Sequence, residues 1–122
     1  MKKLILRSSL GAVLLLSCTN SKKEALNPQG CSTAGTTFSA TIQPIIQANC
    51  LSCHSSSAAP ASGNGNVIEG YAAVHAYAAN GLLMHVVNHD PGVPAMPQGG
   101  AKLDACTIAK LQAWVDAGAP NN

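Results

Sequence analysis

The sequence predicts one small all-α domain. Apolar residues recur at helical spacing in four segments, and no stretch alternates apolar and polar residues as a half-buried strand would. The chain has 122 residues, the length of a single domain, which excludes a multidomain enzyme or a TIM barrel. Because only 3% of the residues are aromatic, aliphatic side chains, alanine or a non-protein group must fill most of the core.

The first predicted helix covers residues 40–49. Phe38 and Ile42 begin a run of apolar residues at helical spacing. Pro44 fits only in the first turn or at a kink, because proline has no N–H and its ring clashes with the preceding turn. Small and polar residues then fill positions 55–66, which we predict to be a loop.

Two further helices are predicted in the middle of the chain. The first covers residues 67–79 and stops at Asn80-Gly81, and the second covers residues 82–88. Residues 90–100 contain three prolines and three glycines, so we expect a loop without any helix.

The last predicted helix covers residues 105–117. Asp104 is a suitable N-cap, and Gly118 stands where a glycine commonly ends a helix. Leu111 belongs to its apolar stripe, and we expect the neighbouring Trp114 to pack this helix against the first one, near Phe38 and Ile42.

The first 17 residues have the layout of a secretory signal. Lys2, Lys3 and Arg7 precede an apolar run at 10–16, which is too short to span a bilayer as a helix. Without residues 1–17, four lysines face five acidic residues, a net charge of −1. A basic surface for nucleic acid is therefore not expected.

The end of this signal, Leu15-Leu16-Ser17-Cys18, resembles a bacterial lipobox, in which the cysteine is lipidated and becomes the first residue. The alternative is an ordinary signal peptide that is cut elsewhere. We predict a lipid anchor on Cys18, a flexible tether over residues 18–30 and a folded domain over residues 31–122. Such a protein is exported and held at a membrane, facing the periplasm or the cell exterior.

Five cysteines can each be assigned a role. Cys18 carries lipid, and Cys50 and Cys53 belong to the motif described next. Cys31 and Cys106 are left over, and in an oxidising compartment we expect them to form a disulfide. This bond would join the start of the domain to the last helix, and chain-entropy arguments give about 4 to 5 kcal/mol for a loop of this length.

The motif Cys50-Leu51-Ser52-Cys53-His54 has the spacing of a haem c attachment site. Two thiols one helical turn apart can each add to a haem vinyl group, and the adjacent imidazole then faces the iron. A redox-active Cys-x-x-Cys needs a βαβ context, and a zinc site needs more ligands at compatible spacing. A scaffold without cofactor, in which Cys50 and Cys53 form a second disulfide, is a further alternative.

From about residue 31 to residue 118 the chain resembles the small single-haem cytochrome c domains of class I type. The resemblance rests on a helix leading into the motif, a middle helical region, the loop Ala95-Met96-Pro97-Gln98-Gly99-Gly100 and a terminal helix with Trp114. The closing residues 114–122 resemble a lipoprotein subgroup of Bacteroidetes-like bacteria. The resemblance implies three to five helices around one covalent haem, with His54 and a methionine as axial ligands.

Two methionines compete for the sixth coordination position. Met96 lies in a loop bounded by proline and glycine, whose restricted backbone reduces the entropy lost on binding iron. Met84 lies in an apolar stretch and is more typical of core packing. We predict Met96, with His75, His85 and His89 as rival ligands.

Two kinds of supporting contact are expected around the haem. The second ring nitrogen of His54 should donate to a carbonyl, which fixes the ring orientation. Asn64, Asn66 and Tyr71 are candidates to bond the haem propionates, although loop capping and core packing are the favoured roles for these residues.

The expected function is electron transfer and not enzymatic catalysis. An iron with two strong axial ligands has no open position for a substrate, and the five carboxylates are scattered along the chain. Redox proteins are the expected donors and acceptors, and the domain is expected to be monomeric. The alternative is a haem-based sensor, or a small-ligand-binding or peroxidase-like protein, with a labile sixth ligand.

Overall fold

A computed structural model describes residues 30–122 of the chain. Within this range the secondary structure is helical and has no β-strand, which confirms the all-α prediction. The predicted signal peptide at 1–17, Cys18 and the predicted tether up to residue 29 lie outside the described residues. None of the described helices has the length and apolar character needed to cross a membrane.

Six α-helices follow a π-helical turn in the described part of the chain. The elements are the π-helical turn Phe38–Ile42, α1 (Gln43–Asn49), α2 (Leu51–His54), α3 (Ala59–Ser62), α4 (Tyr71–Ala79), α5 (Leu82–Val87) and α6 (Ala105–Asp116). The elements that correspond to the first and last predicted helices pack together, as do α4 and α5.

The first helical region begins two residues earlier than the predicted 40–49 and starts in π geometry. The side chain of Thr37 caps it by accepting from the amide of Ala40 at 3.2 Å. The amide of Gln43 bonds to the carbonyl of Phe38, five residues back. Pro44 then occupies the first turn of α1, where no backbone donor is required, as the sequence predicted.

The prediction of a continuous loop over 55–66 was wrong, because α3 forms within it. Pro60 stands in the first turn of this helix, where its missing N–H costs nothing, and Ala59 is fully buried. Four residues are too few to show an apolar repeat, so α3 leaves no periodic signal in the sequence.

The prediction that the next helix starts at residue 67 was also wrong, because α4 starts at Tyr71. Gly70, with φ of +80°, ends a non-helical segment in which the amide of Ile68 bonds to the carbonyl of His54 at 2.9 Å. A residue with a side chain at this φ would be strained, so Gly70 separates the non-helical segment from the helix.

The remaining elements follow the prediction closely. The helix predicted at 82–88 is α5, and residues 90–100 contain no helix. Asp104 caps α6 by accepting from the amide of Thr107 at 2.9 Å. Gly118 lies just beyond α6 with φ of +87° and so ends it as expected.

The core lies between the first helical region, α4, α5 and α6. Trp114 is fully buried, with its ring centroid 5.7 Å from that of Phe38, and Ile42 belongs to the same cluster. This confirms the predicted packing of the last helix on the first. The indole N–H donates to the carbonyl of Pro120 at 2.9 Å, so the buried ring leaves no polar atom unpaired.

Cys31 and Cys106 are joined by a disulfide in the structure, with their Cα atoms 5.5 Å apart. This separation is within the usual range for a disulfide. Since Cys106 lies in the first turn of α6, the bond ties the start of the domain to the last helix.

Candidate functional site

A cleft between α2, α5 and the loop at 90–100 brings the predicted site residues together. Cys50, Cys53, His54 and Met96 all line it. Most of the other walls are apolar, and they are formed by Ile68, Leu83, Val86, Val87, Pro97 and Leu103. The cleft therefore joins the cysteine motif to a methionine 42 residues beyond the histidine.

The two cysteines of the motif are free thiols in the structure. Cys50 is half-buried at the start of α2, and Cys53 is exposed within it. Burial raises the pKa of the Cys50 thiol to about 11, so this thiol stays protonated at neutral pH. Redox-active Cys-x-x-Cys pairs need a lowered thiol pKa, so the environment of Cys50 does not favour that alternative.

The imidazole of His54 is buried, with 9% of the residue exposed, and it is held by one hydrogen bond. Its Nδ1 lies 2.8 Å from the carbonyl oxygen of Asn66. Because a carbonyl can only accept, Nδ1 carries a proton, and Nε2 is the ring nitrogen that this bond leaves unused. The expected carbonyl partner is thus present, and Nε2 is the nitrogen available to a metal.

Gly63 makes room for the imidazole of His54. A Cβ atom on Gly63 would lie 2.9 Å from Nδ1 of His54 and 2.5 Å from the carbonyl oxygen of Cys53. Both distances are shorter than real Cβ contacts allow. Sequence reasoning missed this residue, because nothing in the sequence distinguishes it among 11 glycines.

Met96 is held in the wall of the cleft by hydrogen bonds on both sides of its Cα atom. Its amide donates to the carbonyl of Val86 at 2.9 Å, and its carbonyl lies 3.0 Å from Nε2 of His89. Met84 is only 8% exposed and belongs to the hydrophobic core, away from the cleft lining. Met96 therefore lies in the wall of the cleft, and Met84 lies in the core.

None of the three rival histidines lines the cleft within the described residues. His85 is exposed, and its Nδ1 donates to the carboxylate of Asp90 at 2.7 Å. Nε2 of His89 donates to the carbonyl of Met96, and the ring centroid of His75 lies 5.3 Å from that of Tyr71.

The candidate propionate-binding residues are occupied by contacts within the protein. The hydroxyl of Tyr71 donates to the carbonyl of Ala119 at 3.0 Å, which is a packing role. The side chain of Asn66 donates to the carbonyl of Gly63 at 3.1 Å and so caps the loop. Asn64 does not line the cleft and has a left-handed backbone, with φ of +51°.

The ligands that the cleft offers are one imidazole nitrogen and one thioether sulfur, with two thiols at its edge. Across residues 30–122, no three His, Cys, Asp or Glu side chains come together as a site for a metal ion such as zinc would require. In comparisons with known proteins, no family model, no curated protein and no solved structure matches the chain.

Proposed function

We propose that the chain is a c-type cytochrome that transfers electrons. Cys50 and Cys53 hold one haem through thioether bonds, and His54 and Met96 are its axial ligands. One observation carries this proposal: these four side chains line the same apolar cleft, although Met96 is distant from the motif in sequence.

The residues of the cleft fit a covalently bound haem. Both thiols are free, and each can add across one vinyl double bond. The sulfur bonds to one vinyl carbon and the proton goes to the other, so the addition consumes neither oxidant nor reductant. The apolar walls suit the porphyrin ring, and the exposed position of Cys53 leaves one edge of the site close to solvent.

Electron transfer is the chemistry that this ligand set favours. A bound haem supplies a one-electron couple, and two protein ligands leave its iron without a free coordination position. His54 keeps its proton on Nδ1 through the bond to Asn66, so that Nε2 remains a ligand. The thioether of Met96 raises the reduction potential relative to a second histidine.

No contact among residues 30–122 favours the sensor or peroxidase-like alternative. A peroxidase-like site needs an acid–base residue beside an open iron position. His85 is exposed and bonded to Asp90, and His89 is bonded to the backbone of Met96. We therefore retain electron transfer as the single proposed function, with redox proteins as donors and acceptors.

Membrane attachment through lipid on Cys18 belongs to the same proposal. The support is the apolar run followed by Leu15-Leu16-Ser17-Cys18. Labelled palmitate should enter the protein in growing bacteria and should be absent from the Cys18→Ser variant. Equal labelling of both forms would overturn the assignment.

The axial ligands can be tested by comparing two methionine variants of the full chain, produced in a bacterial host with haem c maturation machinery. The reduced wild-type protein should show sharp low-spin bands, and the oxidised protein a weak far-red band from the Met–iron bond. Met96→Ala should abolish the far-red band and allow carbon monoxide to bind after reduction.

Met84→Leu is the matched control, because it replaces the other methionine with a residue of similar volume in the core. It should keep the far-red band. Loss of the band in Met84→Leu with retention in Met96→Ala would contradict the proposed ligand.

A further inference from the structure

We propose that His89 is a positioning residue that holds Met96 at the iron. This inference rests on the proposed function, since it concerns the sixth ligand of the same site. His89 does not line the cleft, so it acts on the iron only through Met96.

The contact between His89 and Met96 has a defined direction. Nε2 of His89 lies 3.0 Å from the carbonyl oxygen of Met96. A carbonyl can only accept, so Nε2 donates. The amide of Met96 donates in turn to the carbonyl of Val86 at 2.9 Å. The peptide groups on either side of the Met96 Cα are therefore both bonded to one chain segment, the end of α5 and the second residue after it.

The left-handed backbone of His89 accompanies the contact of its side chain with the loop at 90–100. The helix α5 ends at Val87, and His89 adopts a left-handed conformation with φ of +57°. Its amide bonds to the carbonyl of Val86 at 3.3 Å. Histidine tolerates this conformation better than most residues with a side chain, and at this position its ring bonds to the carbonyl of Met96.

Restraint of the Met96 backbone matters because the thioether of Met96 competes with solvent and other ligands for the sixth position on the iron. A loop already fixed in the bound arrangement loses less entropy when the thioether binds. If the His89 bond is removed, the ligand-off state becomes more populated, and the affinity for a competing ligand rises by the same factor. The loss of one typical hydrogen bond corresponds to roughly a three- to tenfold change.

The test is a titration of the oxidised holoprotein, as the full chain, with imidazole, followed through loss of the far-red band. His89→Asn and His89→Gln form a matched pair of amides that differ by one methylene. Asparagine tolerates the left-handed backbone but is too short to reach the carbonyl of Met96, whereas glutamine places its amide N–H near the position of Nε2. His85→Ala removes an exposed histidine on α5 that makes no bond to Met96 and is the control.

We expect His89→Asn to bind imidazole roughly three- to tenfold more tightly than the wild type, with His89→Gln and His85→Ala within about twofold of it. The helical content, measured by circular dichroism, should be unchanged in all variants. Wild-type affinity in His89→Asn, or an equal gain in His85→Ala, would overturn the role of His89. Absence of the far-red band from the wild type would instead overturn the proposed axial pair, and the role of His89 with it.

Discussion

The position of the His54 imidazole depends on its place at the end of α2 and on two residues of the loop that follows, Gly63 and Asn66. Its own residue lies at the end of α2, its Nδ1 donates to the carbonyl of Asn66, and the absent side chain of Gly63 leaves the space it occupies. The orientation of the proposed iron ligand is thus set by the loop that follows the motif and not by the motif alone.

Gly63→Ala should disturb this site more than any other alanine substitution in that loop. The added Cβ would press on the carbonyl of Cys53 and on Nδ1 of His54. Backbone cannot move aside cheaply, so we expect a loss of about 1 to 3 kcal/mol in the free energy of unfolding. Denaturant unfolding of the holoprotein measures this loss of stability. The low-spin absorption bands of the variant should also be weaker than those of the wild type.

Gly100→Ala is the control for this substitution. A Cβ on Gly100 would meet Pro97 at 3.4 Å, which is an ordinary contact. Its unfolding midpoint should stay close to that of the wild type. If Gly63→Ala were no more destabilising than Gly100→Ala, the close fit at His54 would not hold.

The residues of the proposed haem site differ in how far the sequence predicts them. Cys50, Cys53 and His54 are contiguous enough for spacing alone to indicate their role. Met96 could be chosen over its rivals because proline and glycine bound its loop. The contact of His89 could not be predicted, because it depends on a left-handed turn after α5 that is formed by the tertiary structure.

Among the helices, apolar periodicity predicted where the long ones lie. It did not predict the helix ends that are determined by tertiary contacts. Val67 and Ile68 continue the apolar pattern of α4, which is why the sequence predicts a start at 67. The amide of Ile68 instead bonds to the carbonyl of His54, and residues 66–69 form no helix. This pairing places Ile68 in the wall of the cleft.

The N-cap of α6 gives a pH-dependent prediction. The hydroxyl of Thr107 and then its amide donate to the carboxylate of Asp104, and these bonds hold the pKa of Asp104 below its usual value. A lowered pKa in the folded state means that the cap stabilises fully above the unfolded pKa of about 4 and is lost as the pH falls through the folded pKa. Asp104→Ala should therefore lower the unfolding midpoint at neutral pH and converge with the wild type in acid.

Asp116→Ala, at the other end of α6, is the control for the cap. A carboxylate in the last turn faces the negative end of the helix dipole, so its removal should not lower the midpoint at neutral pH. A difference between Asp104→Ala and the wild type that stays constant from neutral to acid pH would contradict the linkage.

At the scale of the whole described chain, residues 30–122, both ends are tied to the π-helical turn, α4 and α6, which pack around the core. The amide of Phe38 donates to the side chain of Asn122 at 2.8 Å, and the hydroxyl of Tyr71 donates to the carbonyl of Ala119. The disulfide between Cys31 and Cys106 adds a covalent link across a sequence separation of 75. These ties compensate for a core with few aromatic side chains.

Removal of the disulfide should therefore lower stability without changing the cleft, because neither cysteine lines it. The double substitution Cys31→Ser and Cys106→Ser should lower the free energy of unfolding by up to about 4 to 5 kcal/mol, as the chain-entropy estimate indicates. The unfolding midpoint should fall, whereas the absorption spectrum and the reduction potential should match the wild type. A shifted potential would show that the disulfide also shapes the site.

The central claim is that Cys50 and Cys53 carry one haem, and the mass of the denatured, full-length protein tests it most directly. The protein should be produced with haem c maturation machinery and measured beside the double substitution Cys50→Ser and Cys53→Ser. We predict that the wild type exceeds the double variant by the mass of one haem, after correction for the two Cys→Ser changes, because lipid on Cys18 would add equally to both masses. A corrected difference of zero, or one equal to the loss of two hydrogens in a second disulfide, would contradict the account.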